Sequence, residues 1–368
     1  MNKTIFKTYL IYFIALLTFV CVRIASSLGA FSWIQDAMIR SNVATIVIQI
    51  GVIFTIPFLL SIWLFKSKPK QVFKDFGFKK INFKSILICF AIGLLMFFLN
   101  IIIASFFSSI LSMFGYSYSS GSAGYTYDTF PKFLLGVLFV AVLPGFCEEF
   151  LHRGLVMRKV GNETNYKYAI LISALCFGLM HLNIEQFFYA TILGIIMGFV
   201  GSVSDSIFPC MIMHFTNNFM SVYLTFAKEK GLFMGDFYSK LNSLYSTNSP
   251  IFTFIFTIFV LVLLIVGIVF LIIQLFKETR LKKLQQSLVN VQKEVSGDNI
   301  DELSPQKLSS DFKNYILPQI ESSKDYLSPF MPTAKSKPSK SLETNLFLIA
   351  TLVLGFLITI STFIWGVI

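Results

Sequence analysis

Charge is what this chain has least of: 13% of its 368 residues are Asp, Glu, Lys or Arg, against 55% hydrophobic, and its mean hydropathy is +0.74. Soluble domains carry roughly 25% charged residues, so a globule solvated by water is excluded. Cysteine is also sparse. Cys21, Cys89, Cys147, Cys176 and Cys210 stand singly inside apolar runs with no CxxC pair, which excludes a disulfide framework and a zinc ribbon. Histidine is scarcer still, with His152, His181 and His214 the whole supply. Two motifs are missing altogether: the GxSxG elbow of serine hydrolases and the HExxH helix of zinc peptidases.

What the sequence does have is long apolar runs. A membrane-crossing helix needs roughly 20 apolar residues, and about nine stretches qualify, near 8–29, 42–65, 85–114, 132–158, 166–182, 186–203, 207–227, 250–276 and 345–367. They are too long and too little alternating for barrel strands, so the fold expected is all-α, a polytopic transmembrane bundle of about nine spans in contact with the lipid bilayer. The first run resembles a signal peptide after Lys3 and Lys7, but no small-x-small cleavage site follows, and it reads as a retained anchor.

The net charge of +11 invites a nucleic-acid reading, which the placement of the lysines removes. Lys66, Lys68, Lys70, Lys74, Lys79, Lys80 and Lys84 crowd the link between the second and third runs, the positive-inside signature of a cytoplasmic loop. Lys3, Lys7, Arg153, Arg158, Lys159 and Lys167 then fall on the same side, whereas the link at 115–131 falls outside. The expectation is a multi-pass protein of the plasma membrane with a cytoplasmic N-terminus, and no nucleic acid as partner.

The chain divides into two spans with the Lys-rich link (1–84), a membrane core (85–227), an external loop and eighth span (228–276), a polar segment (277–344) and a final span (345–368). Leu281, Leu284, Leu288, Val291 and Val295 recur at helical spacing, so the polar segment begins as an amphipathic helix. A solvated helix is the plain reading and a surface for a protein partner the sharper one. Prolines at 305, 318, 329, 332 and 338 then predict a mostly irregular loop.

Ionisable residues at membrane depth cost about 2.5 kcal/mol or more each, so those present demand a reason. In AVLPGFCEEFLHRG, Glu149 and Arg153 are four apart on one helix face and predict an ion pair, leaving Glu148 aimed elsewhere. His152, four residues on from Glu148, is either its neighbour or faces the headgroups, and the latter is expected. Pro144 and Gly145 should loosen the helix and free the carbonyl of Val140. In LISALCFGLMHLN, Phe177 lies one turn beneath His181; in FPCMIMHFTNNFM, His214 and Asn218 share a face. One carboxylate pair, two imidazoles and a carboxamide on three neighbouring helices are what hydrolysis by activated water requires.

These patterns, EExxxR at 148–153, FxxxH at 177–181 and HxxxN at 214–218, resemble the CAAX-protease and bacteriocin-processing (CPBP, Abi) family of intramembrane glutamate endopeptidases over roughly residues 85–227. The resemblance implies a membrane-associated peptide or protein substrate. It also implies that Glu148 polarises a water with help from His181, that His214 and Asn218 stabilise the oxyanion, and that Glu149, Arg153 and Phe177 support them. No cofactor is implied. Glu148, His181 and His214 would alternatively make a zinc set, although Asn218 is a poor zinc ligand. A non-catalytic membrane scaffold and an ion-coupled transporter are the readings from other classes, the latter without an inverted repeat to support it.

Overall fold

The computed structural model describes residues 2–117, 126–236, 250–281 and 342–367; 86% of them are helical and none forms a strand. The helices are α1 (Lys3–Ser27), α2 (Ala37–Phe65), the short α3 (Pro69–Asp75), α4 (Phe83–Met113), α5 (Phe130–Glu163), α6 (Tyr166–Met180), α7 (Ile184–Ser204), α8 (Phe208–Glu229), α9 (Pro250–Phe276, continued through Lys277–Leu281) and α10 (Leu342–Val367). The protein is therefore an all-α, multi-pass membrane bundle. The predicted amphipathic stripe beyond Leu281, the irregular loop after it, and residues 118–125 of the external link lie outside the described residues.

Local chemistry sets the helix starts. Asparagine side chains accept from the first free backbone N–H groups of four helices: Asn2 for α1, Asn82 for α4, Asn165 for α6 and Asn183 for α7. Among the described residues, seven helices are long and apolar enough to cross a membrane: α1, α2, α4, α5, α7, α9 and α10. Two of the nine expected runs fall short. α6 has 15 residues, and α8, at 22, is interrupted by His214, Thr216, Asn217 and Asn218. α6 is apolar and falls short by length, ending just before His181, whereas in α8 the polar residues around His214 weaken the hydropathy signal.

Long-range bonds gather the lysine-rich segments at one end. Asn2 donates to Glu163, Lys7 to the Leu64 carbonyl, and Lys84 to Glu278. Ile207 N–H donates to the Gly77 carbonyl, and Asp205 pairs with both Lys79 and Arg158. Phe150 of α5 anchors this end, with ring centroids 4.8 Å from Phe54 and 4.9 Å from Phe76.

Two apolar clusters fill the bundle. One joins α1 and α2 to parts of α5, α6 and α10, and the other joins α4, α7, α8 and α9. The polar residues of α5 lie along the seam between them.

Candidate active site

The middle of α5 is irregular. Wide turns occupy Val137–Val142 and Phe150–Met157, with the acids on the short regular stretch between them. Each wide turn holds an extra residue and re-aims the side chains that follow; such turns concentrate at functional sites. Pro144 has no N–H to give the Val140 carbonyl, and Asn218 Nδ2 donates to that carbonyl instead at 3.0 Å. Gly145 permits the contact: a Cβ there would lie 3.3 Å from the backbone nitrogen of Phe215 and 3.4 Å from the Met211 carbonyl. α5 and α8 therefore touch backbone to side chain, which brings Glu148 and Glu149 to His214.

Glu149 is the hub. Its Oε1 accepts from Arg153 Nη1 at 2.7 Å and from His214 Nδ1 at 2.8 Å, all three side chains being buried. Arg153 also donates to the Gly194 carbonyl at 3.1 Å, and its guanidinium lies 4.5 Å from the centroid of Phe177. A buried charge is tolerated only when paired and hydrogen-bonded, and here one carboxylate oxygen satisfies two donors. The ion pair expected from the spacing of 149 and 153 is present.

Glu148 points the other way, as expected. Its Oε1 accepts from Gln49 Nε2 at 2.8 Å, and its Oε2 is 4.0 Å from His214 Nε2. Because a carboxylate can only accept, Nδ1 of His214 carries the proton given to Glu149, and Nε2 is the nitrogen turned toward Glu148.

His181 follows the last residue of α6. Its Nδ1–H donates to the Phe177 carbonyl at 2.8 Å, which leaves Nε2 free to accept, and Glu148, His214 and Arg153 are its electrostatic neighbours. The next residue, Leu182, has φ of +52°. A left-handed leucine is strained, and this three-residue turn is what places the imidazole at the end of α6. The edges of His152, His181 and His214 all approach Phe177, with centroids 5.1, 5.0 and 5.5 Å away. One aromatic ring thus spaces every histidine of the chain. Asn218, one turn beyond His214, is tied to Val140 and accepts from Asn217 at 3.0 Å; the second N–H of its amide is uncommitted.

Two features differ from the sequence expectation. His152 does not face the headgroups: it is fully buried, with Nδ1 bonded to the Glu148 carbonyl at 2.7 Å and Nε2 3.2 Å from the Tyr12 hydroxyl. Tyr12 also donates to the Cys176 carbonyl at 2.8 Å, so α1 supplies a polar group where sequence reasoning saw an anchor. Gln49 was missed entirely. The signal available was a single carboxamide inside the apolar run IVIQIGVIF.

For zinc, the fit is poor. Among the described residues no three His, Cys, Asp or Glu side chains group so as to hold a metal ion. A separate cavity of about 510 Å³ lies between α4, α7 and α8, at the end remote from the lysines, lined in part by Asn100, Glu185, Tyr189, Ser221 and Lys228. None of Glu148, Glu149 and the three histidines lines it.

Comparison with known proteins adds one finding. Residues 130–220 match the family model for type II CAAX prenyl endopeptidase, Rce1-like, a segment that spans α5 to α8 and includes all four predicted catalytic positions. No curated protein and no solved structure matches the chain.

Proposed function

We propose that this chain, with an Rce1-like segment at 130–220, is an intramembrane peptidase in which Glu148 is the general base. The family match supports peptidase activity in general. The observation that carries the finer reading is the division of labour between adjacent acids: Glu149 is fully buried, with its Oε1 held by Arg153 and His214, while Glu148 is partly accessible and keeps an oxygen 4.0 Å from His214 Nε2.

Glu148, aided by the accepting nitrogen of His181, takes a proton from water as the water oxygen bonds to the carbonyl carbon of the peptide. The carbonyl electrons move to oxygen. That oxyanion is held by Nε2–H of His214 and the uncommitted N–H of Asn218. With Nδ1–H bonded to Glu149, donation from Nε2 requires a proton on both ring nitrogens of His214. Collapse breaks the C–N bond, and Glu148 returns its proton to the amine. The reading needs no metal.

We read the lysine-rich end, and the N-terminus with it, as cytoplasmic from its positive charge, and the membrane as the plasma membrane. The polar segment 277–344 is read as a partner-binding or regulatory element dispensable for chemistry.

The test is hydrolysis by purified protein in proteoliposomes of two internally quenched probes, a peptide ending in a prenylated CAAX sequence and an unprenylated membrane-spanning peptide. At least one is cleaved, chelator leaves the rate unchanged, and Glu148→Gln abolishes it. Retained cleavage in Glu148→Gln overturns the assignment of the base, and chelator-sensitive cleavage restored by zinc overturns the metal-free mechanism.

A further inference from the structure

Gln49 lies outside the family-matched segment, 99 residues from Glu148, yet it makes the one close hydrogen bond to that carboxylate among the described residues. It is about twelve residues into α2, which at 1.5 Å per residue puts it roughly 18 Å from the helix end, at membrane depth. It is 8% exposed and flanked by the core residues Ile48, Val52 and Ile53. A carboxamide placed there is costly unless its polar atoms are used. Its Nε2 is used on Glu148 Oε1; its Oε1 is buried and has no hydrogen-bond partner among the described residues.

The backbone around Gln49 is also unusual. Val47–Thr55 is a wide-turn segment that packs against Leu143–Glu149, with the N–H of Ile56 bonded five residues back to the Gly51 carbonyl. The extra residue held in such a turn rotates the neighbouring side chains relative to a regular helix. Three wide-turn segments, at 47–55, 137–142 and 150–157, therefore surround the acids, and one of them comes from α2.

We propose that Gln49 is a positioning residue for Glu148. It pins Oε1, which fixes rotation of the carboxylate and leaves Oε2 as the oxygen presented to His214 and to the reacting water. The hydrolytic unit then comprises α2 together with α5, α6 and α8, and a displacement of α2 turns the base away. This rests on Glu148 being the base, but the grip itself is measurable without any substrate.

The experiment compares Gln49→Leu and Gln49→Asn with the parent in detergent or proteoliposomes. The infrared carboxylate stretch of Glu148, isolated as the difference between parent and Glu148→Gln, shifts in Gln49→Leu while the thermal midpoint stays at the parent value. With a cleaved probe, kcat falls about 10- to 100-fold, as for loss of a hydrogen bond to a charged group, and KM stays within about twofold. Gln49→Asn, whose donor is retracted by one methylene, also shifts the band, and keeps the parent thermal midpoint should the leucine variant accumulate poorly. A band at the parent position in both variants overturns the proposal, as does loss of thermal stability with no band shift. If the band shifts but neither parent nor variant cleaves any probe, the peptidase reading fails and the grip on Glu148 stands.

Discussion

α5 and α9 are both long apolar helices, and they solve the membrane in opposite ways. Over its most apolar stretch α9 is 11% buried and α5 33%. α9 turns Phe252, Phe259, Val262, Val266 and Phe270 outward and meets α4 through Leu264, Ile268 and Leu275. α5 carries Glu148, Glu149, His152 and Arg153, none of them exposed, with each charge answered by a side chain from another turn or helix. Lipid contact needs only apolar surface, whereas a polar helix within the bundle needs partners at fixed distances.

The comparison can be broken at four places. The largest effect is expected at Glu148: replacement by Gln lowers peptide hydrolysis by about 10³-fold, within the range for loss of a general base, with protein abundance unchanged in membrane fractions. Next is Arg153→Met, which strands the buried Glu149 and costs about 3–5 kcal/mol; it reads out as poor accumulation and a lowered thermal midpoint, even for inactive protein. Third, a lysine at the lipid face of α9, Val266→Lys, costs about 2.5–3.5 kcal/mol of insertion free energy, measured by glycosylation mapping of the span, while hydrolysis by the inserted fraction is unaffected.

The smallest effect lies at the aqueous end. Burial alone would raise the Asp205 carboxyl, but bonds and charge from Lys79 and Arg158 outweigh it and hold it below the usual carboxylate range. A depressed carboxyl contributes stability above its unfolded value, near 3.9, and loses it as pH falls through the folded value. Asp205→Asn therefore lowers the thermal midpoint slightly at pH 7, by about 1 kcal/mol or less for a partly exposed pair. Only below the depressed folded value of that carboxyl do parent and variant converge.

What was legible in the sequence was what repeats within one helix. The apolar runs located the helices to within a few residues at most ends, and the four-residue spacing of Glu149 and Arg153 foretold their pair. Pro144 foretold an unbonded Val140 carbonyl, but its partner, Asn218, is 78 residues away and no local pattern could name it. The same limit hid Gln49. His152 was misread for a related reason: a histidine one turn from a basic charge cluster resembles a headgroup residue until Tyr12 is brought in from α1. Contacts between helices depend on which faces meet, and periodicity within one helix does not encode its neighbour.

The brevity of α6 reaches beyond the protein into the lipid. Its 15 residues span about 22 Å, less than the roughly 30 Å hydrocarbon thickness, and Ile184 N–H, directly after the turn at 181–183, donates to Thr362 Oγ1 of α10, five residues short of that helix's end at Val367. A polar turn sunk in this way cannot be covered by full-length acyl chains without mismatch, which costs fractions of a kcal/mol per Å. The leaflet beside His181 must thin or admit headgroups. Lipid chain length then becomes a variable of the reaction centre, with short-chain bilayers matching the hairpin and long-chain bilayers pressing hydrocarbon against it.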